Sequence, residues 1–184
     1  MECETESMGR RGRQELEAAG GRGAIAANGK PVESVWDFPR PPLVERVDWR
    51  IRVVHRDAVV VDAPHAVRVL ETSQAPAYYV AAEFVDDRYL ATVSRRSMCE
   101  WKGSASYADV VVGNARAAEA CWTYREPTPR FEPIRDHWAF YAQALDECWV
   151  DDERVDPNDG SFYGGWITGN VTGPYKGAAG TMFW

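Results

Sequence analysis

From about residue 50 onwards, the chain consists of short β-branched and aromatic runs separated by turn residues. Residues 50–56 and 58–62 are rich in valine and meet at Arg56-Asp57, which predicts a β-hairpin. The other strand candidates are residues 66–71, 77–80, 89–93, 106–112, 118–124, 137–141, 148–150 and 154–155. Helical periodicity is almost absent, apart from one expected turn at 81–85. The pattern therefore favours an all-β domain, built as two packed antiparallel sheets or a partly open barrel.

The two ends of the chain differ from this middle part in composition. Residues 1–33 are rich in glycine, glutamate and arginine and contain no aromatic residue, so we expect a disordered tail. Prolines at 39, 41 and 42 predict an extended arm. Residues 160–184 combine frequent glycines with aromatic residues, which predicts a second arm that wraps the domain. The expected organisation is a tail at 1–33 and a single β domain at 34–184.

Composition narrows the range of functions. The 184 residues are 45% hydrophobic, which is enough for one compact core. A formal net charge of -7 repels phosphate backbones, and no apolar run reaches membrane-spanning length, so we expect neither nucleic acid nor membrane as a partner. The four cysteines lack the close pairing of structural zinc sites. We therefore expect no metal, no cofactor, and a cytoplasmic protein with reduced thiols.

Two blocks, residues 71–79 and 99–107, contain more reactive side chains than a plain core needs. Glu71 shares a strand face with apolar residues, where a carboxylate suits acid/base work or pairs with an arginine. Lys102 precedes a glycine and is a candidate contact for an anionic or carbonyl group, or a partner for a nearby acid. Cys99 is a candidate nucleophile or a small buried hydrophobe. These three residues are the catalytic candidates.

The same two blocks, with one later tryptophan, supply candidates for ligand binding. They are Thr72, Ser73, Tyr78, Tyr79, Trp101, Gly103, Tyr107 and Trp122. Hydroxyls of this kind also satisfy nearby backbone groups, and most of the aromatic residues are also candidates for the core. Because strand residues alternate, one of the two adjacent tyrosines faces a pocket and the other does not. We expect that residue to be Tyr78.

Several stretches of the chain resemble the domain of unknown function 427 (DUF427) family, which is also named a nucleotidyltransferase-like domain. The matching stretches are Glu71-Thr72-Ser73, Pro76-Ala77-Tyr78-Tyr79, residues 99–107, Trp122-Thr123-Tyr124 and Phe140-Tyr141. The ends, at residues 35–42, 164–167 and 173–177, resemble the actinobacterial type of member. The resemblance implies a β-tent fold, in which two antiparallel sheets cross and enclose a pocket without metal-binding cysteines.

The chain departs from the family pattern at two positions. Gln74 stands where the compared members usually have histidine, which removes the most plausible general base from the first block. Glu100 stands where they have proline and places a charge beside Cys99. The family name also implies nucleotide transfer, yet the paired aspartates at 86–87 and 151–152 are typical of turns and not of a magnesium site.

The sequence leaves three functions open. The first is a β domain that binds a small molecule of unknown identity between the two blocks. The second is an enzyme acting on a small metabolite or nucleotide, with Glu71 as acid/base, Lys102 as electrostatic stabiliser and Cys99 as nucleophile. The third is a structural or interaction module that binds a partner through the aromatic C-terminal arm.

Overall fold

A computed structural model describes residues 23–160 and 162–184. The strands are β1 (Glu33–Ser34), β2 (Leu43–Val47), β3 (Ile51–His55), β4 (Ala58–Ala63), β5 (Ala66–Leu70), β6 (Ala77–Tyr79), β7 (Leu90–Cys99), β8 (Gly103–Val112), β9 (Ala115–Thr123), β10 (Trp138–Phe140), β11 (Glu147–Val150), β12 (Glu153–Arg154), β13 (Asp156–Pro157), β14 (Trp166–Ile167) and β15 (Val171–Thr172). Short 3-10 helices lie at Val35–Asp37, Ala82–Phe84, Asp87–Tyr89, Pro129–Ile134 and Ala142–Ala144. The predicted all-β class is confirmed.

The predicted hairpin at residues 50–62 forms as β3 and β4. Its turn residues, Arg56 and Asp57, have φ values of 48° and 64°, which a two-residue hairpin turn of the primed type requires. On its other side β3 pairs with β11, and the sheet order is β12-β11-β3-β4. Ile51, Val53 and His55 are buried on alternate positions of β3, so this face of the sheet packs into the interior.

A second sheet has the order β10-β9-β8-β7. The Gly113-Asn114 turn joins β8 to β9, as the sequence predicts. Strand β7 is longer than the predicted residues 89–93, because it continues to Cys99 as the edge of this sheet. Most side chains of residues 94–99 are exposed at this edge. These residues therefore do not alternate between polar and apolar types, and the sequence pattern does not predict a strand there.

The third sheet, β2-β5-β6, positions the first reactive block. Its strand β5 ends at Leu70, directly before Glu71. Beyond β6, Val80 and Trp138 exchange two backbone hydrogen bonds of 2.9 and 2.8 Å. This bridge connects the third sheet to β10 of the second sheet and holds the two reactive blocks in one part of the molecule.

The described residues contain three clusters of buried apolar residues. The smallest consists of Val35, Phe38, Leu70 and Val171, and the other two lie between the sheets. The larger one, which we call the large core, contains many aliphatic residues, including Ile51, Val53, Val60 and Val110. The smaller one, which we call the aromatic cluster, consists mainly of rings: Tyr79, Tyr107, Trp122, Tyr124 and Phe131. Strands β6, β8, β9 and β10 contribute residues to both clusters.

The last residues of the predicted N-terminal tail contact the β domain. Residues 1–22 of the predicted tail lie outside the described residues, but residues 24–33 pack on the domain. Lys30 is only 7% exposed and forms an ion pair of 2.6 Å with Asp151. The Asn28 side chain donates hydrogen bonds to Glu153 and Asn170. Polar side-chain contacts anchor this segment, which contains no aromatic residue, so its composition alone does not reveal that it packs on the domain.

The C-terminal residues form the expected arm. Strand β14 pairs with β13, and β15 pairs in parallel with β1. Trp166 is 1% exposed and donates its indole N–H to the Phe140 carbonyl at 2.9 Å, which fixes the start of the arm. Met182, Phe183 and Trp184 remain exposed at its end, and a role for them in binding a partner stays a prediction. None of the helices in the described residues has the length and apolarity that crossing a membrane requires.

Candidate functional site

The second reactive block is the tip of a long hairpin. Strands β7 and β8 pair up to Cys99 and Gly103, so Glu100, Trp101 and Lys102 form the turn. Gly103 has a φ of 94°, a conformation that residues with a Cβ rarely adopt. The Thr128 side chain donates a 2.6 Å hydrogen bond to the Trp101 carbonyl, and the Thr128 backbone N–H donates to the Lys102 carbonyl. The tip is thereby attached to the loop after β9.

The first reactive block is a tight turn after β5. The Gln74 N–H donates to the Glu71 carbonyl at 3.0 Å, and Ser73 has a φ of 69°. The N-terminal arm holds this turn, because the Thr72 hydroxyl donates to the Phe38 carbonyl at 2.5 Å. The C-terminal arm holds it as well, because the Lys176 N–H donates to the Ser73 carbonyl at 2.7 Å. Both arms therefore fix the position of Glu71.

A cavity of about 430 Å³ lies between the two blocks. This volume is in the range of known small-molecule sites. The blocks, the aromatic cluster and both arms contribute its lining residues: Arg40, Glu71, Gln74, Ala75, Ala77, Tyr79, Arg95, Ser97, Met98, Cys99, Glu100, Trp101, Lys102, Tyr107, Trp122, Tyr124, Tyr141, Phe162, Tyr163, Gly164, Gly165 and Lys176.

Aromatic rings form one wall of the cavity. The Trp122 indole N–H donates to the Tyr79 hydroxyl at 3.2 Å, and the two rings meet edge to face. The Trp122 ring centroid lies 4.5 Å from that of Tyr141, and Tyr79 also contacts Tyr124. Burial raises the pKa of Tyr79, Tyr124 and Tyr141 well above the ordinary value for tyrosine. Their hydroxyls therefore stay neutral at physiological pH and can both donate and accept hydrogen bonds.

The main chain of Gly164 packs directly against this wall. A Cβ at this position would lie 2.3 Å from Cη2 of Trp122 and 3.1 Å from Cδ1 of Tyr141. Atoms cannot approach so closely, so any side chain here would displace the Trp122 ring. The glycine is thus required by the close approach of the C-terminal arm to the aromatic wall.

Charged side chains complete the lining. Glu71 is 8% exposed and its Oε1 accepts a hydrogen bond from Nε of Arg40 at 3.2 Å. Arg95 lies 4.5 Å above the Tyr107 ring and forms an ion pair with Glu119, which is outside the cavity. Lys176 lies over the Tyr163 ring and donates to the main-chain oxygen of Trp184 at 3.1 Å.

Lys102 differs from these three cations in its surroundings. Its Nζ lies 5.7 Å from the centroid of the Phe131 ring. Within the described parts of the chain, no acidic side chain forms an ion pair with Lys102 and no oxygen accepts a hydrogen bond from its Nζ. The adjacent Trp101 has a buried indole N–H that likewise meets no acceptor among the residues described. The hairpin tip thus carries donors that lack partners.

The structure brings together most of the residues that the sequence singled out. All three catalytic candidates, Glu71, Cys99 and Lys102, line the cavity. Of the ligand-binding candidates, those on the cavity are Tyr79, Trp101, Tyr107 and Trp122. Those that do not line it are Thr72, Ser73, Tyr78 and Gly103. Thr72 and Gly103 shape the two turns, and Ser73 is buried behind the first one.

The choice between the two tyrosines was wrong. Tyr78 belongs to the large core, where its ring lies 5.5 Å from that of Trp166, and Tyr79 faces the cavity. The reason is the register of β6: Val67 pairs with Tyr79 and Arg68 with Tyr78. Alternation along this strand then places Ala77 and Tyr79 together on the cavity side.

Sequence reasoning missed lining residues from three sources. Arg40 and Lys176 come from the arms, whose contacts are too distant along the chain to read from a local pattern. Ser97 lies on the polar half of β7 that was not recognised as a strand, and its hydroxyl is 2.7 Å from that of Tyr107. Tyr124 gave a usable signal, because it follows Trp122 at the strand period of two.

The buried cysteines outside the cavity are unreactive. Burial raises the pKa of the Cys121 and Cys148 thiols well above the ordinary value, which keeps them protonated. Cys99 is the partly exposed cysteine among those described. No hydrogen bond from the described residues reaches its sulfur, so the structure supplies no base for it in the form shown.

Comparison with known proteins supports the family resemblance. No curated protein matches the chain. The family model described as a domain of unknown function (DUF427) matches residues 43–151, which is more than half of the chain. The matched segment includes both reactive blocks and the aromatic residues at 122 and 124, while Arg40 and Lys176 lie outside it. The chain therefore belongs to the DUF427 family.

Proposed function

We propose that this protein is a binding domain for a small molecule, which occupies the cavity between the two reactive blocks. The observation that carries this proposal is the lining itself: neutral phenol hydroxyls and ring faces on one wall, with charged side chains around it. An apolar cavity with a few placed polar groups is the usual form of a small-molecule site. A plain core would instead be packed without such a void.

The proposed contacts divide into two sets. Tyr79, Trp122 and Tyr141 would stack on the apolar part of the ligand, since their rings are already held against one another. Glu71 and Lys102 would bind its polar groups. The Arg40 contact orients the Glu71 carboxylate, so this group is in place before a ligand arrives.

Binding has more support than catalysis. The enzyme alternative needs an activated nucleophile, but the residues in view provide no hydrogen-bonded base for Cys99. Glu71 is already engaged by Arg40. Nucleotide transfer, which the family name implies, needs carboxylates grouped for a divalent metal, and no such group of three occurs in residues 23–160 and 162–184.

A cavity-filling variant tests the proposal. Ala77 lines the cavity beside Tyr79, and Ala77→Trp would fill the space from β6. Ala118→Trp is the matched control, because Ala118 is an exposed strand residue outside the cavity. A library of uncharged and charged fragments is screened by ligand-observed NMR against both variants and the wild type, and thermal unfolding confirms that each variant is folded.

We expect the wild type and Ala118→Trp to bind the same fragments, and Ala77→Trp to lose them. Replacing Glu71 and Lys102 together by alanine should change which fragments bind, because the polar contacts are removed. The proposal fails if Ala77→Trp keeps the fragment profile of the wild type, or if no fragment binds the wild type at concentrations of about 1 mM.

A further inference from the structure

We propose that the ligand is a small flat molecule with one anionic group, and that this group binds at Lys102. The inference rests on the proposed binding function and adds a chemical class to it. It depends on the balance of charge in the cavity, on the ring faces that protein cations already cover, and on the donors at the hairpin tip.

The charge of the cavity is opposite to that of the whole protein. The full chain has a formal net charge of -7. The cavity lining, however, has four cationic side chains, Arg40, Arg95, Lys102 and Lys176, against the carboxylates of Glu71 and Glu100 and that of Glu119, which pairs with Arg95 from outside the cavity, so that an excess of one positive charge remains. A concave site with an excess of one charge concentrates ligands of the opposite charge. This excess favours an anion.

A cationic ligand is disfavoured by the rings themselves. Aromatic walls can bind a cation through their faces, but here the protein has placed its own cations there. Arg95 lies 4.5 Å from the Tyr107 centroid, and Lys176 lies 5.4 Å from the Tyr163 centroid. A ligand cation would meet like charges at these faces. The rings of Trp122 and Tyr141, which no cation of residues 23–160 and 162–184 covers, can instead stack on a flat neutral group.

Lys102 is the cation best placed to bind the anion. The other three cations already have an oxygen partner: Arg40 has Glu71, Arg95 has Glu119, and Lys176 has the main-chain oxygen of Trp184. In the described chain, Nζ of Lys102 has only the Phe131 ring. An anionic group on a ligand would give this half-buried ammonium the acceptor that the protein does not supply.

The size of the cavity limits the ligand. A volume of about 430 Å³ lies in the lower part of the range of small-molecule sites, roughly 300 to 1,000 Å³. One or two fused rings with a short acidic arm fit this space. A nucleotide polyphosphate would bring several negative charges. Of the cations described above, Lys102 alone lacks an oxygen partner, so such a ligand is disfavoured.

Three probes with the same ring separate the effect of charge from that of shape. Indole-3-acetate is anionic, indole is neutral and tryptamine is cationic, and their affinities are measured by calorimetry at low salt. We expect indole-3-acetate to bind wild type at least about tenfold more tightly than either of the others, which is the usual size of one charge-assisted contact. Added salt should reduce this preference.

Two variants at one position assign the contact. Lys102→Met should remove the preference for indole-3-acetate and leave indole affinity within about twofold, whereas Lys102→Arg, which keeps the charge, should retain most of the preference. The ligand class is wrong if tryptamine or indole binds wild type as tightly as the acetate, or if none of the three binds. The role of Lys102 is wrong if Lys102→Met keeps the preference. These failures leave the fragment screen with Ala77→Trp unaffected, so they are distinct from a failure of the proposed function.

Discussion

The large core and the aromatic cluster share strands β6, β8, β9 and β10 but differ in how completely they fill space. On β8, Val110 packs into the large core, whereas Tyr107 borders the cavity. Branched aliphatic side chains interdigitate at the density of a solid. The aromatic cluster instead has large rings whose hydroxyls need partners, and its wall stops at a cavity. One face of these strands thus packs into a core and the other borders the cavity.

The largest expected difference between the two regions is in stability. Ile51 is 1% exposed in the large core, and Ile51→Ala should lower the free energy of unfolding by about 2 to 5 kcal/mol, because methylenes are lost and a void remains. Fragment binding at the cavity should persist at temperatures where the variant is folded. Urea unfolding measures the first effect. A loss below about 1 kcal/mol would show that this core is not tightly packed.

Alkaline pH should destabilise both regions, because burial raises the pKa of Tyr78, Cys121 and Cys148 in the large core as well as that of three tyrosines in the aromatic cluster. The folded-state pKa of Tyr79, Tyr124 and Tyr141 is raised by burial, while in the unfolded chain tyrosine titrates near about 10. Above that pH the unfolded state binds fewer protons than the folded state. The stability from these neutral hydroxyls is therefore complete below pH 10 or so and is lost as the pH rises toward the folded pKa, by about 1.4 kcal/mol per pH unit for each tyrosine.

The variant Tyr79→Phe tests this origin of the pH dependence. Above a pH of about 10, the free energy of unfolding of Tyr79→Phe should fall less steeply with pH than that of the wild type, by the contribution of one tyrosine. Near neutrality the slope should change little. Urea unfolding at a series of pH values measures the slope. If the variant and the wild type lose stability equally between pH values of about 10 and 11, the buried phenol of Tyr79 is not responsible.

The variant Trp122→Phe should separate an effect on ligand binding from an effect on stability in the aromatic cluster. Trp122→Phe removes the indole N–H that donates to Tyr79 and part of a ring that is 7% exposed, and should cost about 1 to 3 kcal/mol of stability from the lost hydrogen bond and the lost packing. Because Trp122 borders the cavity, the affinity for fragments should fall more in Trp122→Phe than in Ile51→Ala. Equal affinities in the two variants would argue against a ligand stacked on Trp122.

The smallest expected effect concerns an ion pair at the edge of the cavity. Glu119→Gln releases Arg95, which lines the cavity, and should change stability by less than about 0.5 kcal/mol because both side chains are partly exposed. The freed guanidinium should strengthen binding of indole-3-acetate by about twofold. Asp62→Asn, which breaks a surface pair with Arg50 away from the cavity, is the control and should leave affinity unchanged.

Local patterns in the sequence were enough for the parts of the fold that depend on neighbouring residues. The Arg56-Asp57 turn and the valine-rich runs beside it predict β3 and β4 because alternation and turn chemistry act over a few residues. The sequence pattern does not predict the polar half of β7, because an exposed edge strand needs no apolar face. The choice between Tyr78 and Tyr79 depended on the register with β5, which a local pattern does not determine.

The candidate site was likewise predictable only where its residues belong to a local sequence block. Glu71, Cys99 and Lys102 were found because each is a reactive residue inside a recognisable block. Arg40 and Lys176 were not, since their position depends on contacts between distant parts of the chain: Arg40 donates to the main-chain oxygen of Trp184 at 3.5 Å, and the Lys176 backbone N–H donates to the Ser73 carbonyl at 2.7 Å. Their assignment requires the three-dimensional path of the arms.

The arms carry half of the positive charge of the cavity, although the family match begins at residue 43 and ends at residue 151. Arg40 stands before the first matched residue and Lys176 after the last. Under the proposed binding function, substitutions at these two positions would change which ligands bind while the central sheets keep their pairing. Two proteins with closely similar central segments could thus accept different compounds, and comparisons of specificity within this family need the flanking residues as well as the shared segment.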